Sequence, residues 1–254
     1  MTTQTDKALH LRSLHVPYEP LVLVNIWDAG SAAAVAAAGA KALATGSWSV
    51  AAAQGYPDGE ALPLDAALAS AGRIAASVDL PVTVDFEGGY APDPQGVGEN
   101  VRRLLDCGVV GLNFEDQVVH GGGIYPVGVQ ADRVQAVRRA ADACGVPAVI
   151  NARTDLFLHA TSPTDHAGLV DEALARCAAY AAAGADCFFV PGLTDLTLIG
   201  QICAASSLPV NVMMRQDLTT PSALAALGVA RISMGPAPYR DAMARLQAAA
   251  SAYY

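Results

Sequence analysis

Eight short apolar runs recur along these 254 residues, each followed by an alanine-rich segment with helical spacing, and few architectures accept that alternation. The runs fall near 21–25, 41–45, 81–86, 109–114, 147–152, 187–190, 209–213 and 229–233; helices fill 29–38, 64–77, 95–107, 130–144, 166–183, 194–204, 219–226 and 237–250. Strands alternating with helices of this length make βαβ units and a parallel sheet. The punctuation agrees. Gly39, Gly108, Gly184 and Gly228 stand where left-handed caps end helices and lead into strands, and Pro81, Pro147 and Pro209 open three others. Eight units predict an α/β fold, a (β/α)8 TIM barrel. It is read as a single domain over 1–254, with a short N-terminal helical segment at 1–18. A doubly wound open sheet is the structural alternative.

A barrel of this kind carries its active site at the C-terminal ends of the strands. Here those ends are polar and the starts almost wholly apolar. Asn25, Trp27 and Asp28 follow the first run, Gly46 and Ser47 the second, Asp85 and Glu87 the third, and Glu115 and Asp116 the fourth. Arg153 and Asp155 follow the fifth, Asn211 the seventh, and Ser233 the eighth.

Four carboxylates dominate this rim: Asp58, Asp85, Glu87 and Glu115. Two like charges about 4 Å apart repel by roughly 4 kcal/mol at an effective dielectric of about 20, so a converging set needs a cation, a proton or dispersal. Asp85 and Glu87 are two apart and point the same way in a pleat, and Glu115 ends the neighbouring strand. Hard oxygen donors without a His/Cys set favour Mg²⁺, with Mn²⁺ as the alternative. Salt bridges to arginine are the competing explanation.

Arg153, in NARTD, faces the acidic side of the mouth and can hold a substrate carboxylate in a bidentate fork or pair with Glu115 or Asp155. TGSWS, with Gly46, Ser47 and Trp48, offers small residues and backbone amides to an anion; a bare turn is the equal competitor. QGYPDG is a turn that brings Asp58 to the rim. HGGGIYP, from His120, reads as a hinge for a lid or as a surface loop. The candidate catalytic groups are Asp58, Glu115, Arg153 and His120, and the candidate substrate contacts are Trp27, Gly46, Ser47, Trp48, Arg153 and Asn211. The proton donor is left open among His120, Tyr56 and a metal-bound water.

Composition removes several classes. The only lysines are Lys7 and Lys41, neither at a strand end, which excludes Schiff-base aldolases and pyridoxal-phosphate enzymes. A net charge of −9 with no basic stripe excludes nucleic acid as a partner, and no apolar stretch suits a membrane span. Five cysteines without CxxC spacing, and an N-terminus without a signal-peptide pattern, point to the cytoplasm.

NIWDAGSA, ATGSWSVAAAQGYPDG, VDFEGGY, GLNFEDQ, NARTDLFL, AGADCFFVPG and GVARISMG resemble, in order, blocks of the isocitrate lyase/phosphoenolpyruvate mutase superfamily across nearly the whole chain. The resemblance implies a Mg²⁺-dependent barrel acting on 2-oxo or 2-hydroxy carboxylates, assembled as a homotetramer (a dimer of dimers) or homodimer. It implies Asp85 as the direct metal ligand, Asp58, Glu87 and Glu115 reaching the metal mainly through water, and Ser47 and Arg153 holding the substrate. The isocitrate and methylisocitrate lyases carry a KKCGH-like gating loop where this chain has HGGGIYP, which sets it apart from those two activities. The expected function is a C–C lyase working through a metal-stabilised enolate, by retro-aldol cleavage or decarboxylation. A phosphoenolpyruvate mutase-type P–C enzyme and a non-catalytic 2-oxoacid-binding protein are the alternatives.

Overall fold

The computed structural model describes residues 2–215 and 219–254. Nine strand segments are found there: β1 (Leu21–Leu23), β2 (Asn25–Ile26), β3 (Leu43–Thr45), β4 (Val82–Asp85), β5 (Gly111–Glu115), β6 (Val149–Arg153), β7 (Cys187–Phe189), β8 (Val210–Met213) and β9 (Arg231–Ser233). All pair in parallel, in the order β1-β9-β8-β7-β6-β5-β4-β3-β2. β1 and β2 are halves of one stave separated only by Val24. The first half pairs with β9 and the second with β3, so eight staves close a ring. The expected (β/α)8 barrel is the fold observed.

The helices are α1 (Gln4–Ser13), α2 (Ala29–Ala37), α3 (Ser47–Ala53), α4 (Leu64–Ser77), α5 (Pro94–Asp106), α6 (Val127–Ala143), α7 (Val170–Ala182), α8 (Leu196–Ala205), α9 (Pro221–Ala226) and α10 (Ala237–Ala250). Their starts are written locally. Thr3 and Asp28 head capping boxes, and Asp93, Asp195 and Thr220 cap α5, α8 and α9 through side-chain oxygens. Gly39, Gly108, Gly184 and Gly228 take φ of 94°, 86°, 101° and 90°, the left-handed caps expected of them. Two differences stand out. TGSWS is no open turn: Gly46 caps α3, whose Ser49, Val50 and Ala51 are buried. The segment before α7 is a 3-10 helix over Pro163–Leu169, where Pro163 sits in the first turn and allows the tighter coil.

The N-terminal segment, of which position 1 lies outside the described residues, contains α1. Its Ala8 and Leu11 are fully buried, and a Cβ on Gly111 would stand 3.0 Å from Leu11 and 2.9 Å from the Val149 carbonyl oxygen. Leu11 therefore plugs the end of the barrel where β5 begins, and only a glycine leaves room for it. The interior is partly polar. Asn113 on β5 and Arg231 on β9 are not sheet neighbours, yet Arg231 Nη2 donates to Asn113 Oδ1 at 3.0 Å, so both point into the barrel. No helix among the described residues is long and apolar enough to cross a membrane.

Candidate active site

At the C-terminal ends of the strands lies a cavity of about 150 Å³, with Asn25, Ser47, Asp58, Asp85, Asn113 and Arg153 on its polar side. Asp85, the last residue of β4, anchors it. Its Oδ2 accepts from the Ser47 backbone N–H (3.3 Å) and hydroxyl (3.1 Å), and its own N–H donates to Thr45 Oγ1 (3.0 Å). Its Oδ1 is buried and has no hydrogen-bond partner. Ser47 and Asp85 thus meet because α3 starts at the end of β3, beside β4 in the sheet. Gly46, Ser47, Trp48 and Ser49 line the cavity, and a helix leaves its first-turn amides without internal partners.

Glu87 reaches the cluster by another route than the pleat. β4 ends at Asp85, and Glu87 lies in a left-handed turn with φ of 49°; Glu60 (55°) and Tyr90 (57°) share that conformation, which is costly for residues with a Cβ. The turn is held from behind. Arg133, 1% exposed, donates from Nη2 to the carbonyls of Gly88 (2.6 Å) and Ala91 (3.0 Å) and stacks 4.2 Å from the Tyr125 ring centroid. The Glu60 N–H donates to Glu87 Oε2 at 2.6 Å, and Glu60 Oε1 accepts the Tyr90 N–H at 2.7 Å.

Burial, with the charges of Asp85 and Asp58 adding to it, pushes the Glu87 carboxyl up to about 8. Asp58, at the exposed rim, is raised by partial desolvation and then by Asp85. The acids therefore sense one another electrostatically. Even so, among the described residues no three His, Cys, Asp or Glu side chains stand close enough to hold an ion together.

A measurable consequence follows from Glu87. Its folded-state value lies above its ordinary 4.5, so between these values the folded protein binds more protons than the unfolded one and loses stability as pH rises. Buried His15, lowered to about 4, works in the opposite sense, but its contribution is complete above about 6.5. In chelator, the melting temperature should fall from pH 6.5 to 8, and Glu87→Gln should flatten the fall. An unchanged slope in that variant would refute the assignment.

Arg153, at the end of β6, lines the cavity while engaged on two edges. Nη1 meets Glu115 Oε2 at 2.8 Å, and Nε and Nη2 meet the two Asp155 oxygens at 2.5 and 2.8 Å. Burial alone would lower its pKa, but Glu115 and Asp155 hold it well above the usual value. One guanidinium serves two carboxylates, and burial keeps the Glu115 carboxyl well above its ordinary value despite Arg153. Glu115 itself is 4% exposed and stands behind Arg153.

Four expected site residues are therefore brought to the cavity wall with Arg153 and Asp85: Gly46, Ser47, Trp48 and Asp58. Three are not. Trp27 packs edge-on against Tyr239 (5.1 Å between ring centroids), because the chain turns into α2 straight after β2. Asn211 is fully buried, exchanging hydrogen bonds with Ser233, which takes the place at the wall. His120 has a 75% exposed side chain and faces Glu60 Oε2 at 3.5 Å in a neighbouring cleft, since Gly122 and Gly123 turn its loop away.

One wall residue, Asn113, was not expected from the sequence, and Asn25, expected at the rim, has a further role. Asn113 Oδ1 accepts from both Asn151 Nδ2 (2.8 Å) and Arg231 Nη2 (3.0 Å), which fixes the amide so that its NH₂ is the end left for the cavity. Its signal was present: a polar side chain between apolar neighbours in GLNFE. Asn25 Oδ1 accepts the Met234 and Gly235 N–H groups at 2.9 Å each, tying the loop after β9 to the first stave.

The phosphoenolpyruvate phosphomutase family model matches residues 11–254. A solved structure from Burkholderia cenocepacia J2315, provisionally described as a phosphonomutase, is 48% identical over 99% of this chain and 100% of that one, with a TM-score of 0.96. The 2-methylisocitrate lyase of Escherichia coli K12 is 30% identical over 80% of this chain and 68% of its own. A 2,3-dimethylmalate lyase structure is 27% identical over 99% of this chain and 87% of that one, with a TM-score of 0.84. The chain belongs to the phosphoenolpyruvate phosphomutase family, within the isocitrate lyase/phosphoenolpyruvate mutase superfamily.

Proposed function

We propose that this protein is a Mg²⁺-dependent lyase that cleaves a C–C bond next to a 2-oxo or 2-hydroxy carboxylate, by retro-aldol cleavage or decarboxylation. The observation that carries the reading is Asp85 Oδ1, a buried carboxylate oxygen without a partner at the wall of the cavity. A hard, unpaired oxygen in an acidic surround fits a hard divalent cation, Mg²⁺ or Mn²⁺. Asp85 would hold it directly, and Asp58, Glu87 and Glu115 would reach it through water. When bound, the ion polarises the substrate's carboxylate and 2-oxygen and takes up negative charge beside the breaking bond. The chain's own groups do the rest. First-turn amides of α3 and the Asn113 NH₂ orient the carboxylate, and Arg153 balances charge opposite. Asp58, with its raised carboxyl, is the wall residue suited to carry a proton.

The test is release of pyruvate or another 2-oxo acid from oxaloacetate and substituted malates. Turnover should appear with Mg²⁺, persist with Mn²⁺ and stop with chelator. Metal-dependent binding of these acids without any turnover would overturn the lyase and leave a 2-oxoacid-binding protein. The phosphonomutase description of the Burkholderia relative makes phosphonopyruvate, followed by phosphorus NMR, the control for P–C chemistry.

A homo-oligomer and a cytoplasmic setting complete the proposal. α10 buries none of its residues, and Val22 and Val24, on the outward side of the first stave, are each 37% exposed. These faces, with Met243 and Leu246, suit cover by a second copy. Light scattering should give a dimer or tetramer, and Leu246→Glu should lower its mass; a monomeric wild type would refute it. The free cysteines agree with a reducing compartment.

A further inference from the structure

A fully buried cation lies behind the cavity wall without a carboxylate partner. Arg231 opens β9, two residues before Ser233, which reaches the wall; Arg231 itself does not line the cavity. It takes part in no ion pair among the described residues, and its Nε and Nη1 have no hydrogen-bond partner. Burial pulls its pKa down to about 10, which still leaves it charged at neutral pH. A lone buried charge works against folding, so stability does not account for this one. Its Nη2 donates to Asn113 Oδ1 at 3.0 Å, and Asn113 does line the cavity.

The Asn113 amide needs such a neighbour. Asn113 and Asn151 are register partners on β5 and β6, and Asn151 Nδ2 donates to Asn113 Oδ1 at 2.8 Å while Asn151 Oδ1 is buried without a partner. By itself this pair has two equivalent arrangements. If both amides turned over, the Asn113 NH₂ would donate to the Asn151 oxygen instead, the same bond would be made, and Asn113 would show the cavity its oxygen. Only a third group can choose between them. A guanidinium donates and never accepts, so Arg231 Nη2 demands the Asn113 oxygen and leaves the NH₂ facing the cavity. The choice matters for a ligand: an ionised carboxylate only accepts hydrogen bonds, so it is drawn to an NH₂ and repelled by an oxygen.

We propose that Arg231 is a positioning residue of the active site: through Asn113 it fixes the hydrogen-bond polarity of the cavity wall, so that a carboxylate-bearing ligand meets an NH₂ group rather than a carbonyl oxygen. This rests on the lyase reading, in which Asn113 receives the substrate carboxylate, and deepens it. Arg153 lines the cavity, whereas Arg231 acts from behind its wall.

Neutron diffraction from deuterated protein reads the orientation directly. In the unaltered protein the Asn113 nitrogen, marked by its deuterons, should lie on the cavity side; in Arg231→Met the two orientations should be mixed or reversed. Calorimetry with pyruvate and Mg²⁺ reads the consequence. Arg231→Met should weaken binding about 10- to 100-fold, the scale of one hydrogen bond to a charged group. Asn113→Ala should weaken it comparably, and adding Arg231→Met to Asn113→Ala should bring no further loss, since the effect runs through that amide. The melting temperature of Arg231→Met should not fall, because the cation it removes has no carboxylate partner. An Asn113 amide that keeps its orientation in Arg231→Met, an unchanged pyruvate affinity in that variant, or an equal loss with and without Asn113 would overturn the assignment. If the unaltered protein binds no pyruvate with Mg²⁺, the lyase reading falls, and the neutron maps still decide whether Arg231 sets the amide.

Discussion

Asp85→Asn should lower kcat/KM on any metal-dependent substrate by roughly 10²- to 10³-fold or more, the scale of losing one strong electrostatic contact to a reacting oxygen. The substitution is isosteric, so the Ser47 hydrogen bonds to one side-chain oxygen can persist. What disappears is the charge on the second, unpartnered oxygen. Mg²⁺ affinity measured by calorimetry should fall with activity. Stability should move the other way. Asp85 is among the charges that raise both Glu87 and Asp58, so its neutralisation relieves repulsion and should raise the melting temperature of the chelator-treated protein. A variant that keeps its Mg²⁺ affinity, or melts lower without metal, would remove Asp85 from the centre of the site.

Arg153→Met should cost about 3–5 kcal/mol of folding free energy, because it leaves Glu115 and Asp155 buried without their shared cation. Both carboxylates lie almost out of solvent, and Asp155 is fully buried. Urea denaturation in chelator would read the loss. A double variant, Arg153→Met with Glu115→Gln, should recover part of it, since one of the two stranded charges is gone. Equal stability of the single variant and the unaltered protein would mean that the ion pairs hold nothing together. Activity should be lost in both variants, which separates the structural duty of this guanidinium from its place at the cavity wall.

The barrel was legible in the sequence because its signals are local and repeated. Helix-ending glycines such as Gly108 and Gly184 need a left-handed backbone wherever they occur, and the apolar runs keep the length of buried strands. Ser47, Asp85 and Arg153 were legible for a related reason: a barrel gathers its strand ends on one side, so position along a strand predicts position in space, and the QGYPDG turn after the second strand carries Asp58 to the same side. Most other residues whose place depends on turns were not. Glu87 was expected in the pleat but enters through a left-handed turn secured by Arg133, a residue in mid-helix with nothing local to mark it. His120 sits in a run of glycines whose path no pattern predicts, and Trp27 lies one residue past β2, where the chain has already begun to turn. α3 was missed because seven residues are too few to display a periodicity. Phe189 and Met213 at the cavity wall were hidden for the opposite reason, since they look like any other core residues until the register puts Phe189 beside Arg153.

The first stave hands its pairing from β9 to β3 across Val24. During synthesis, β2 and β3 can pair almost as soon as both have left the ribosome, whereas β1 must wait for the last strand of the ring. Long-range closure of this kind is paid in loop entropy before it returns any contact, so the seam should be the slowest joint to form and the first to part. Asn25, which spans that joint to Met234 and Gly235, also borders the cavity. A nascent chain therefore holds its acidic residues in an open half-ring, and the pocket acquires its full wall only when translation has delivered the final stave.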